Sequence, residues 1–148
     1  MSDKKCRICT SPTHEFGHLY KCQSPACGVV FWDKRMVKKA LRETPDALDK
    51  ILSVAQVPEP IKGEVSKFVY VLRLKGEVDS VYVGMTGKHP YARYLDHIRG
   101  YKSSRHTKRR ATALIKFEGP MTYEAAQKRE PELAGELRQS SHAVYGGH

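Results

Sequence analysis

Strand periodicity from Lys67 to Leu74 puts Phe68, Tyr70, Leu72 and Leu74 on one face. Lys75-Gly76-Glu77-Val78-Asp79-Ser80 has turn composition, and residues 81–86 return as a second strand with Tyr82, Gly84 and Thr86 on a common face. The pair predicts an antiparallel hairpin. Glycine inside a strand is locally unfavourable, so Gly84 marks a close approach of a helix or a phosphate to the backbone. Pro90 opens a helix whose stripe of Tyr91, Tyr94, Leu95 and Ile98 has i, i+3, i+4, i+7 spacing, and Gly100 stops it. Arg93 and His97 stand four apart on a different, polar side, so both can converge on one ligand. Ala113 to Phe117 predicts a third strand, ending at Glu118-Gly119-Pro120. Thr122 caps a last helical region in which Ala126, Glu130, Leu133, Ala134 and Leu137 share a stripe. An acid on that stripe is costly unless it is paired or holds a metal. Pro131 disfavours helical geometry at Glu130 and predicts a break there, which leaves an N-cap or an internal salt bridge as the plainer readings of Glu130.

Residues 1–60 are patterned differently. The chain's only cysteines read Cys6-x2-Cys9, then twelve residues, then Cys22-x4-Cys27. The first pair has knuckle spacing, and the whole set spans a segment too short to build a hydrophobic core. Four thiolates on one structural zinc ion would supply the missing folding free energy. His14 and His18 lie between the pairs as substitute ligands, but a closed site needs only four. Disulfides are disfavoured because the spacing is metal-like and nothing suggests secretion. Gly28 to Trp32 reads as the closing strand of a zinc ribbon or knuckle, with Phe31 and Trp32 covering the metal site. Asp33 caps a helix to about Arg42, and Thr44-Pro45 restarts one to about Ala55, both with solvated charged faces. Val57 to Gly63 is a linker by composition. The expected division is a zinc-binding module over 1–32, a helical segment and linker over 33–60, and a second domain over 61–148.

Composition narrows the partners. Hydrophobic residues make up 40% and charged residues 28%, no apolar run reaches about 18 residues, and no signal-peptide pattern occurs. The expectation is a cytoplasmic or nucleoid-associated protein with no membrane partner. The net charge of +10 is uneven: residues 1–60 hold 10 Lys/Arg against 7 Asp/Glu, and residues 61–148 hold 16 against 9. Arg99, Lys102, Arg105, Lys108, Arg109 and Arg110 fall together without an acid between them. Such a stripe attracts nucleic acid by counterion release.

From about Ser66 onwards the chain resembles the GIY-YIG nuclease superfamily. The half-motifs are Phe68-Val69-Tyr70 and Tyr82-Val83-Gly84, separated by eleven residues. Arg93-x3-His97-x2-Gly100 matches the family's arginine-histidine helix, and Ala126-x3-Glu130 its acidic helix. Phe68 and Val69 replace glycine and isoleucine, and no Asn occurs in the chain, where many members have one in the last motif. His142 or His148 is the available replacement. The resemblance implies an α+β fold, a three-stranded antiparallel sheet flanked by helices. It implies a metal-dependent endonuclease that hydrolyses DNA phosphodiesters to 5′-phosphate and 3′-hydroxyl ends. Tyr70 would activate water, Tyr82 would orient it, His97 would relay a proton, and Arg93 would clamp the phosphate. Glu130 would hold Mg2+ or Mn2+. The DNA would be double-stranded or branched, and cutting both strands from one site would need a homodimer or sequential nicks. The alternative is a catalytically inactive, zinc-containing nucleic-acid-binding protein.

Overall fold

Gly17 and His18 reverse the chain between β1 (Thr13–Phe16) and β2 (Leu19–Cys22), with Phe16 opposite Leu19. Gly17 takes φ +64°, and a Cβ there would lie 2.8 Å from Val54. β3 (Val30–Trp32) pairs antiparallel with β2, setting Phe31 beside Tyr20 in a stack with ring centroids 5.3 Å apart. Phe31 and Trp32 are fully buried, so they are core residues. α1 (Lys34–Glu43) starts where Asp33 accepts a hydrogen bond from the Met36 amide at 3.1 Å. α2 (Leu48–Val54) begins later than Thr44-Pro45 predicts, because the Thr44 amide already closes α1 by donating to the Ala40 carbonyl. In this computed structural model the described residues are 4–76, 80–103, 110–140 and 142–147. These elements belong to one compact unit, Met1–Val57, and Pro58–His148 forms a second. No helix among the described residues is long and apolar enough to cross a membrane.

The second unit is built on the predicted hairpin. β4 (Lys67–Leu74) and β5 (Ser80–Thr86) pair antiparallel, with Tyr70 opposite Gly84 and Leu72 opposite Tyr82. β6 (Ala111–Met121) pairs antiparallel with the other edge of β4. It runs past the predicted stop at Glu118-Gly119-Pro120 because Gly119, at φ +129°, lets the strand pass the Lys67 carbonyl. A Cβ at Gly119 would meet that carbonyl oxygen at 2.7 Å, where the register shifts. β7 (Ala143–Gly146) then lies parallel to β5, with Tyr145 opposite Tyr82. The sheet of this unit is therefore four-stranded and mixed, in the order β6-β4-β5-β7, and not three-stranded antiparallel as expected. The architecture remains α+β.

Two helices cover the sheet. α3 (Pro90–Ile98) has His89 as N-cap, and α4 (Tyr123–Gln139) has Thr122, whose hydroxyl accepts from the Ala125 amide at 3.1 Å. Val69, Val71, Val81 and Val83 pack with Ala126, Leu133 and Ala134 of α4. Successive strand residues point to opposite faces, so Tyr70 and its even-numbered neighbours turn away from α4 to the face holding His97 of α3. Covering both faces buries β4 almost throughout, where one-sided alternation predicts half. Pro131 does not break α4. Buried contacts on both sides of it (Ala126 and Glu130 before, Leu133 and Ala134 after) outweigh one lost backbone hydrogen bond, a cost of about 3 kcal/mol.

Candidate active site

Tyr70 reaches its position because Gly84 has no side chain. A Cβ on Gly84 would stand 2.5 Å from the Tyr70 hydroxyl oxygen and 2.9 Å from the Tyr82 ring. The glycine therefore admits the phenols of its own hairpin, and not a helix or a phosphate as its strand position suggested. Tyr70 is buried, with its hydroxyl 2.8 Å from His97 Nε2. Ser103 Oγ lies 2.8 Å from His97 Nδ1, so both imidazole nitrogens are engaged. The Tyr82 ring packs edge-on to His97 at 5.6 Å and tilts against Tyr70 at 6.3 Å. His97 is 0% exposed. The side of α3 that reads as polar is thus internal, because the phenols on β4 and β5 provide its partners.

Electrostatics joins the remaining residues to this group. Burial raises both Tyr70 and Tyr82 above the ordinary phenol range, Tyr70 more strongly. The Arg93 charge opposes that rise at both phenols, and the Glu130 carboxylate reinforces it. Burial, and after it the Arg93 charge, lowers His97 to about 3. The phenols and the imidazole are therefore neutral around one guanidinium and one carboxylate. Arg93 is braced from behind, with Nη1 donating to the Tyr101 carbonyl at 3.2 Å and Nη2 to the Lys102 carbonyl at 2.7 Å. Glu130 is 8% exposed, as its place on the apolar stripe requires.

Sequence reasoning misses Asp96 and Ser103. Asp96 is 3% exposed and ion-pairs with Lys88 at 2.7 Å, Arg99 at 3.2 Å and Arg93 at 3.7 Å. A signal for it exists: cations stand three residues away on each side of it, at 93 and 99. Ser103 lies beyond the helix and carries no such signal. Of the basic stripe, Arg99 and Lys102 gather on the Tyr101 ring at 4.5 and 5.4 Å. Arg110 instead donates to the Lys75 carbonyl at 3.3 Å and lies over Tyr145. Arg105, Lys108 and Arg109 lie outside the described residues, as does His148. His142 contacts the Leu137 carbonyl at 3.1 Å, at the end of α4. In β7, a Cβ at Gly146 would stand 2.9 Å from the Tyr82 ring.

A model of the GIY-YIG catalytic domain matches residues 66–142. The chain belongs to the GIY-YIG family. No curated protein and no solved structure matches it. A GIY-YIG domain is a nuclease domain, and the match spans every residue of the group assembled around Tyr70.

The four cysteines of the first unit form a separate centre. Their Sγ atoms all lie within 4.8 Å of one another, with Cys6 and Cys27 at 3.7 Å and Cys9 and Cys22 at 3.5 Å. Sulfurs around a tetrahedral zinc with bonds of about 2.3 Å lie roughly 3.8 Å apart. A disulfide would need about 2.05 Å, and all four cysteines are free thiols. The Ile8 amide donates to Cys6 Sγ and the Ser24 amide to Cys22 Sγ, each at 3.4 Å, contacts that would stabilise thiolate charge. The Ser11 hydroxyl and amide lower Cys9 to about 6, whereas burial raises Cys27 to about 12. A divalent ion would deprotonate all four. The donor set fits zinc, and neither His14 nor His18 joins it.

Proposed function

We propose that this GIY-YIG protein is a metal-dependent DNA endonuclease that leaves 5′-phosphate and 3′-hydroxyl ends, with the zinc unit helping to hold the substrate. The observation that carries the reading is the Tyr70–His97 hydrogen bond of 2.8 Å. It couples a buried phenol to a neutral base within the field of Arg93 and Glu130. A phosphodiester is a monoanion, and water attack builds further negative charge on its oxygens. Arg93 carries a permanent, forked charge suited to those oxygens. Tyr70 takes a proton from the attacking water while its own hydroxyl proton passes to His97 Nε2. The new P–O bond forms as the bond to the 3′ oxygen breaks, and that oxygen is protonated from solvent. Ser103 accepts the Nδ1 proton of His97, which leaves Nε2 as the acceptor. The substrate's negative charge offsets Arg93, one of the two causes that depress His97, so the relay gains basicity when the site fills. Tyr82, half-buried at the mouth of the group, orients the water.

Glu130 would offer one carboxylate to a metal ion, a role supported by the reach of its charge to Tyr70 and Tyr82. A single carboxylate, completed by water and substrate phosphate, is a common way of holding Mg2+. Mg2+ or Mn2+ held there would supply positive charge to the leaving 3′ oxygen.

The test is nicking of supercoiled plasmid in Mg2+. Wild-type protein is expected to convert the plasmid, while Arg93→Ala and Glu130→Ala, each folded by circular dichroism, lose at least about 100-fold in rate. Wild-type nicking by both folded variants would remove the assignment. Absence of nicking by the wild type with retained DNA binding would favour a catalytically silent binding protein.

A further inference from the structure

A cleft of about 730 Å³ in the first unit is lined by Lys4, Arg7, Lys34, Arg35, Lys38 and Lys39. Asp33 is the only acid in the lining. That acid is committed to the fold: one oxygen caps α1 at the Met36 amide, and the other pairs with Lys4 at 3.1 Å. Six cations and one committed acid leave this depression strongly positive. The α1 helix supplies four of them at i, i+1, i+4 and i+5, so two ridges of cations, each with members roughly 6 Å apart, line the same side. The other two come from the segment around Cys6. Arg7 follows Cys6 directly, and its guanidinium is held 4.3 Å over the buried Phe31 ring. The lining thus combines cations from the segment around Cys6 with cations of α1.

We propose that this cleft holds the phosphate backbone of duplex DNA. A row of phosphates is the ligand whose repeated single charges match repeated cations without needing a shaped apolar pocket. That the polyanion is DNA rests on the nuclease reading above. The zinc site would then contribute to binding as well as to folding, since Arg7 sits next to the ligand candidate Cys6 and would lose its fixed backbone with the metal.

The test uses the full zinc-loaded chain carrying Glu130→Gln, so that binding is read without cleavage. Anisotropy of a labelled short duplex is followed across a salt series. Replacing Lys34, Arg35, Lys38 and Lys39 together by Gln is expected to weaken binding by about tenfold or more at low salt. It should also flatten log K against log salt by roughly 2 to 4 units. A control with Lys50, Lys62, Lys75 and Lys128 replaced by Gln has the same net charge and should retain most of the slope. Zinc content and circular dichroism confirm that both variants fold. The proposal is overturned if the cleft variant keeps the wild-type slope, or if the control loses as much. It is also overturned if the cleft variant loses binding to phosphatidylserine vesicles while its DNA isotherm is unchanged. Failure of plasmid nicking by the wild type, with these binding results intact, would strike the catalytic reading alone.

Discussion

At the scale of single residues, the site depends on one missing methyl group. Tyr70 and Gly84 are cross-strand partners, and the phenol occupies the space where a Gly84 side chain would be. Gly84→Ala must displace the Tyr70 ring, since backbone on a paired central strand cannot retreat. The expected cost is about 1–3 kcal/mol of stability. Nicking activity should fall further than stability does, because the hydroxyl leaves His97. Urea denaturation beside a plasmid assay checks this, and a fully active, equally stable variant would refute the packing argument. Gly84 was legible in the sequence as a strand glycine needing a reason. The reason itself was not, because it lies in the register that sets position 70 against position 84.

Among the elements, α3 and the turn behind it show how backbone geometry aims a charged side chain. Gly100 and Lys102 both take left-handed conformations, at φ +75° and +48°. This turn brings the Tyr101 and Lys102 carbonyls onto the two Arg93 terminal nitrogens. That conformation costs a lysine about 1 kcal/mol, and a β-branched residue more. Lys102→Gly and Lys102→Val remove the same charge, so their difference isolates the backbone. The valine variant should be less stable than the glycine variant by about 1–2 kcal/mol and should show the lower kcat, which thermal melts and kinetics would measure. Equal behaviour would mean that the turn does not position Arg93. The main elements of this unit (β4, β5, α3 and α4) were readable from periodicity and caps. The extension of β6 and the addition of β7 were not, because each depends on pairing with a strand distant in sequence. The break predicted at Pro131 failed for a related reason: tertiary packing on both sides of the proline holds the helix together.

For the molecule as a whole, the two units are stabilised in different ways. The second buries a core on each face of a sheet, whereas the first, in its described residues, combines three short strands and two helices with a cluster of four sulfurs. Trp32, the only tryptophan in the chain, is completely buried in the first unit. Its fluorescence therefore reports on that unit alone. Stripping zinc with a strong chelator is expected to shift Trp32 emission to the red, and Cys22→Ser should show the shifted spectrum without chelator. Unchanged emission in both cases would mean that the strands hold without metal.

The local content of the sequence determined which residue types the chemistry would use: two phenols on a hairpin, a guanidinium and an imidazole four apart on a helix, an acid on an apolar stripe, and four cysteines at metal spacing. Those features follow from neighbours within a few positions, where strand and helix periods and caps act. Only the tertiary structure decided which partners they meet. It buried His97 by bringing two phenols to it, made Asp96 a hub for three cations, and placed Ser103 behind the imidazole. It also combined cations of α1 with cations from the segment around Cys6 in one basic cleft, where the sequence had suggested a solvated helix face. Each of these outcomes requires segments far apart in the chain to pack together, and no local period records that.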